Sequence, residues 1–242
     1  MTSGCAPTPA CTGNGVIAPL RDGRGAEPGV KDTRRPPFWT AGKVDWRVSV
    51  DTRRRARPRP TRAGARGDGV ERVEGEPDDH ALGRSRGGWG TKIHAAVEAG
   101  LGVMSLLLTA GQAGDCPMMI PVLEAISVKR PARGRPRTRP DRVLADRAYS
   151  SRANRDWLRA HRIRATIPVK ADRAAHRRAR GSRGGRPPAF DVTAYKDRNA
   201  VECCFSHLKQ HRGFATRYDK LAVRYQATTH IASINHWLKR LT

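Results

Sequence analysis

"RVLADRAYSSRANRDWLRAHRIRATIPV", Arg142 to Val169, changes its period twice and so decides the fold class. Val143, Leu144 and Ala145 make a short apolar run closing on Asp146, the pattern of a buried strand. Serine then offers a cap, and "SSRANRDWLRAHRI" continues as a helix. "RATIPV" returns to a strand. Strand, helix and strand in direct succession point to layered α/β structure.

Working outward, "TKIHAAV" and "GVMSLLLT" are two strand-like runs joined by "EAGL", which predicts a hairpin. "GDCPMMIPVLEAI" reads as a helix starting near Asp115, which is taken as its cap, with Pro121 inside it. Upstream, "VDWRVSVD" alternates, Val44, Trp46, Val48 and Val50 on one face and Asp51 on the other. Downstream, helices are expected over Tyr195 to Lys209 and from about Leu221 to Leu241. Two Arg- and Pro-bearing stretches, 129–140 and 170–190, read as basic loops. The sum is an α/β domain with a mixed sheet flanked by helices, the element order of a ribonuclease-H-like fold.

Two segments fit no element. Residues 1–42 are rich in Gly, Pro, Ala and Arg without periodicity and are expected to be a disordered N-terminal region. From Asp51 to Gly69 there is no Val, Ile, Leu, Met or Phe, so 52–78 is expected to be a disordered insertion outside the core.

Lys and Arg number 47 against 22 acids, a formal charge of +25. Such an excess repels itself in a compact fold unless a polyanion neutralises it, and nucleic acid is the leading partner. A membrane surface competes less well, since aromatics are only 5% and a basic interfacial helix needs large apolar residues opposite its charges. The longest apolar run, around "VMSLLLTA", is too short to span a bilayer. The first residues show no secretory signal, and five scattered cysteines suit a reducing cytoplasm.

On the helix "YKDRNAVECCFSHLK", Val201, Cys204, Phe205 and Leu208 follow the spacing of a buried face. Tyr195, Arg198, Glu202 and Lys209 fall on a second, polar stripe, since a helix turns about 100° per residue. Its plain reading is a solvated face with i,i+4 charges. Asp51 and Asp146, however, each close a strand; ends of adjacent strands can converge, and a helix packed across them can bring in Glu202. Three crowded carboxylates call for a hard cation such as Mg2+ or Mn2+. Two such ions about 3.5–4 Å apart activate a water or 3′-hydroxyl and stabilise the leaving oxygen of a phosphodiester. His94 reads as structural. Cys203, His207 and His211 recur at i, i+4, i+8, but one helix cannot surround a tetrahedral zinc.

The Y-x2-R-x3-E-x6-K spacing of Tyr195, Arg198, Glu202 and Lys209 resembles the signature of bacterial insertion-sequence DDE transposases, which have a ribonuclease-H-like core. "DHALGRSRGG", "LLLTAGQAGD", "LADRAYSSRANR", "ATIPVKADR" and "KQHRGFATRYDKL" look like the same family, its insertion-sequence-five branch and relatives. The resemblance implies a catalytic domain over 43–242 that binds DNA and performs divalent-metal-dependent cleavage and strand transfer. It implies Asp51, Asp146 and Glu202 as a triad for two Mg2+ or Mn2+ ions, with Tyr195, Arg198 and Lys209 contacting DNA. It further implies element ends and target DNA as partners, a homodimer on that DNA, no membrane, and a nucleoid-associated, cytoplasmic location. Cys203 and Trp89 stand where the family commonly has arginine and leucine. The Arg/Pro run after Asp51 also departs from it, and leaves open a truncated or frameshifted remnant that binds DNA without catalysis.

Overall fold

A computed structural model describes residues 44–56, 73–129 and 134–239. Six strands, β1 (Arg47–Ala56), β2 (Gly83–Ser85), β3 (Gly88–Glu98), β4 (Val103–Ala110), β5 (Arg142–Ala145) and β6 (Arg164–Thr166), form one mixed sheet. β3 lies antiparallel to β1 along one side and to β4 and β2 along the other. β5 and β6 continue the sheet beyond β1 in parallel. The helices are α1 (Met119–Glu124), α2 (Arg152–Ala160), α3 (Ala171–Ala179), α4 (Val192–Tyr195), α5 (Asn199–Leu208), α6 (Arg212–Ala215) and α7 (Ala222–Leu238).

Strand alternation divides the core into two layers. Val48, Val50, Ala96, Val143 and Ala145 pack against Met119, Val122 and Leu123 of α1 and Leu158 of α2. Ile93, Ala95, Val97 and Leu106 pack on the other face, against Val201, Cys204, Phe205 and Leu208 of α5, with Phe214 of α6 and Tyr225 of α7. The apolar stripe expected on the Tyr195–Lys209 helix is therefore its buried one. The turn between β3 and β4 packs closely on α7, because a Cβ at Gly102 would stand 2.1 Å from the Trp237 ring.

Several expectations need correction. The first strand does not end at Asp51 but runs to Ala56, so residues 52–56 belong to the sheet. Arginine stems make this feasible, since they bury methylene while the charge finds an aromatic face. Arg55 is only 6% exposed, and its guanidinium lies 4.9 Å from the Phe214 ring. Residues 57–72, like 1–43, lie outside those described, whereas 73–78 carry Glu76, which binds the start of α7. The stretch 170–190 is not all loop: "ADRAAHRRA" forms α3, being free of Gly and Pro and rich in good helix formers. The helix expected near Asp115 starts as a 3-10 turn, Cys116–Met118, and α1 places Pro121 in its first turn, where a missing N–H costs little. The Tyr195–Lys209 helix is interrupted at Lys196–Arg198 by a 3-10 turn.

Candidate active site

Parallel pairing sets Val50 of β1 opposite Ala145 of β5, so the next residues, Asp51 within β1 and Asp146 just past β5, stand side by side at the carboxyl end of β5. Binding sites of open α/β sheets collect at that end. Val50 and Ala145 face α1 and α2, so alternation turns both aspartates toward α5.

Asp51 meets the Arg198 guanidinium at 3.5 Å and that of Arg53 at 3.7 Å. Arg198 also donates to Glu202 Oε1 at 2.8 Å, one helical turn on. Arg198 thus bridges a strand carboxylate and a helix carboxylate. Burial raises the Asp51 carboxyl above its ordinary pKa; the Thr52 backbone N–H and the two arginines pull it down without cancelling that effect, and Glu202 adds to the rise. For Arg198 burial acts against the charge, but Asp51 and the Glu202 hydrogen bond outweigh it and its pKa is raised.

Asp146 is half-buried and caps the 3-10 turn Arg147–Tyr149, its Oδ1 accepting from the Arg147 N–H at 2.6 Å. Tyr195 is half-buried with its ring 5.2 Å from that of Phe190. Its phenol is pushed up by burial, pulled down by Arg198, and pushed up further by Asp146, Glu202 and Asp51. All three carboxylates are therefore within electrostatic reach of one hydroxyl. Lys209 is the outlier: exposed at the C-cap of α5, it lies about 10 Å along the axis from Glu202.

Some groups at this site were not singled out by the sequence. Thr52, next to Asp51, bonds His94 Nδ1 and the Tyr149 hydroxyl, each at 2.7 Å, and His94 Nε2 reaches Thr109 Oγ1 at 2.7 Å. Burial lowers the His94 pKa to about 4, so it is a neutral, structural bridge, as expected. This chain ties the middle of β1, beside Asp51, to the turn that follows Asp146. The only signals for it in the sequence are Tyr149 in "LADRAY" and the alternation that puts Thr52 opposite His94. Asp115 corrects an expectation: its side chain makes no cap hydrogen bond and instead takes the Lys92 ammonium at 2.8 Å. Its own backbone is helical (φ −76°, ψ −36°), whereas capping side chains usually need an extended one.

The chain matches the family described as Transposase DDE domain over residues 65–235. It belongs to the DDE transposase family. The matched stretch includes Asp146, Tyr195, Arg198, Glu202 and Lys209 and begins after Asp51. A Brucella ovis protein named as transposase for insertion sequence element IS6501 is 29% identical over 150 residues, 62% of this chain and 98% of that protein. A Burkholderia cepacia protein named as transposase for insertion sequence element IS402 is 37% identical over 84 residues, 35% of this chain and 38% of that protein. No solved structure matches the chain. The function is that of a bacterial insertion-sequence transposase, an enzyme acting on DNA.

The family implies dependence on a divalent metal. The donor types suit one, carboxylate oxygens from two neighbouring strands and a helix, with the half-buried Asp51 already matched to cations. Among the described residues no three His, Cys, Asp or Glu converge on one ion position, and the Arg198 guanidinium lies between Asp51 and Glu202. No helix among those residues is long and apolar enough to cross a membrane.

Proposed function

We propose that Asp51, Asp146 and Glu202 are the metal-binding triad of this transposase and that Tyr195, Arg198 and Lys209 hold the DNA backbone. The observation that carries this reading is the position of Asp51 and Asp146 directly after the Val50–Ala145 pair of two adjacent parallel strands, with Arg198 linking Asp51 to Glu202. The strand order β4-β3-β1-β5-β6 supports a ribonuclease-H-like core within a catalytic domain of residues 43–242. Two Mg2+ or Mn2+ ions, when bound, would supply the activation of a water or 3′-hydroxyl and the stabilisation of the leaving oxygen.

The chain's own groups do the positioning. Arg198, oriented by Asp51 and Glu202, supplies the positive charge that would meet a phosphate oxygen. Tyr195, with its raised pKa, stays protonated at neutral pH and donates a hydrogen bond. Lys209, at the far end of α5, would extend the contact along the strand as a point charge. A homodimer on the element ends and a location with the nucleoid complete the reading.

The test is nicking and joining of duplexes carrying the element's ends, with Mg2+ or Mn2+ against chelator. The parent should cleave only with metal. Asp146→Ala and Glu202→Gln should abolish cleavage and keep DNA affinity within about threefold. Binding without any metal-dependent nicking by the parent would favour a remnant that only binds DNA.

A further inference from the structure

Between α2 and α3 the protein gathers arginines that the triad does not use. α2 presents Arg155 and Arg159, and α3 presents Arg173 and Arg177, each pair one helical turn apart. The two helices meet at Ser150, four residues past Asp146. Arg155 Nη2 donates to Ser150 Oγ at 3.1 Å and to the Ile167 carbonyl at 2.8 Å, and Arg173 Nη1 donates to the Ser150 carbonyl. Both arginines thus anchor the basic pair to the turn that leads out of the site.

Neutralisation is scant. From Lys170 to Arg186 seven Lys and Arg residues face one acid, Asp172. On α2, Asp156 is shared between Arg159 at 2.7 Å and Arg152 at 3.5 Å. Burial lowers the Arg155 pKa first, and the charges of Arg173, Arg159 and Arg177 lower it further. A cluster that depresses its own member is short of an anion. Arg173, Arg177 and Arg180 share one face, spaced over about 10 Å, which spans two successive phosphates of a strand.

We infer that the Arg155/Arg159–Arg173/Arg177 surface between α2 and α3, continued by Arg180, binds the phosphate backbone of a DNA strand leaving the carboxylate site. The inference rests on the protein acting on DNA and adds the path the strand follows. An anionic membrane is the weaker partner, because 170–186 holds no Leu, Ile, Val, Phe or Trp to enter a bilayer interface.

The experiment is fluorescence anisotropy of a labelled duplex, in chelator, over a range of salt. Arg159→Ala, Arg177→Ala and Arg180→Ala are chosen because Arg155 and Arg173 also hold Ser150. Each should reduce the slope of log K against log salt by about one unit, and the triple variant by about three. Arg177→Lys should keep the parent slope. Arg224→Ala on α7, which removes one charge elsewhere, should change the slope by less than half a unit. Parent-like slopes in the three alanine variants, or an equal loss in the Arg224 control, would overturn the assignment. So would phosphatidylserine vesicles binding as tightly as the duplex and losing affinity in the same variants. Because no metal or turnover is involved, failure of cleavage would count against the proposed catalytic triad and leave this result standing.

Discussion

Glu76 offers a measurable test of whether residues just before β2 are part of the folded domain. The first helical N–H groups of α7 need acceptors, and its N-cap residue, Leu221, has none to give. Glu76 supplies them from 146 residues away: Oε1 accepts from Ala222 N at 2.8 Å and Oε2 from Val223 N at 2.9 Å. His80 Nδ1 lies 2.5 Å from Oε1, and the Glu76 side chain is 7% exposed. Two charge-assisted hydrogen bonds contribute about 1.5–3 kcal/mol each before water replaces part of the loss. Glu76→Ala should therefore cost about 2–4 kcal/mol, a fall in Tm of about 4–16 °C for a domain of this size. Glu76→Gln, which keeps one acceptor but no charge, should cost about 1 kcal/mol. Burial alone would raise the Glu76 carboxyl, but the Val223 and Ala222 N–H groups and His80 reverse this and its folded pKa lies below the ordinary value. A depressed carboxylate contributes stability that is present above the unfolded pKa, about 4.3, and is lost as pH falls through the folded one. The gap between parent and Glu76→Gln should accordingly narrow as pH falls below the ordinary carboxylate range. Urea denaturation at pH 7 and pH 3 measures both. An alanine variant within 0.5 kcal/mol of the parent at pH 7 would refute the capping account.

Asp51 carries the opposite sign. Its folded pKa is raised, so the stability of its protonated form is present below the ordinary carboxylate range and lost as pH rises through the folded value. Asp51→Asn should be more stable than the parent at pH 7, by roughly 0.5–2 kcal/mol, the usual gain from one stabilising substitution, and equal to it near pH 3. A less stable variant at pH 7 in the same denaturation would overturn this. Thr52→Val keeps shape but strands the Tyr149 hydroxyl and a His94 nitrogen, and should cost about 1–3 kcal/mol. Thr52→Ser should recover most of that loss, and equal stability of the two variants would argue against the hydrogen-bonded chain.

The sequence by itself determined the α/β class and the assignment of the apolar stripe. Period and spacing are local properties, and Val143–Ala145 or Val201–Leu208 carry them within a single element. It also brought out the polar stripe, because one helical turn fixes Arg198 beside Glu202. What it could not determine was set across long separations in the chain. That Asp51 stands beside Asp146 depends on which strands pair and in what register. That Thr52–Ala56 joins the sheet runs against its composition, and becomes favourable only because Phe205 and Phe214, far along the chain, receive the Arg55 stem and charge. Asp115 reads as a cap until Lys92, on a neighbouring strand, claims its carboxylate. In each case the local preference is worth about a kilocalorie, and a tertiary partner of greater worth overrides it.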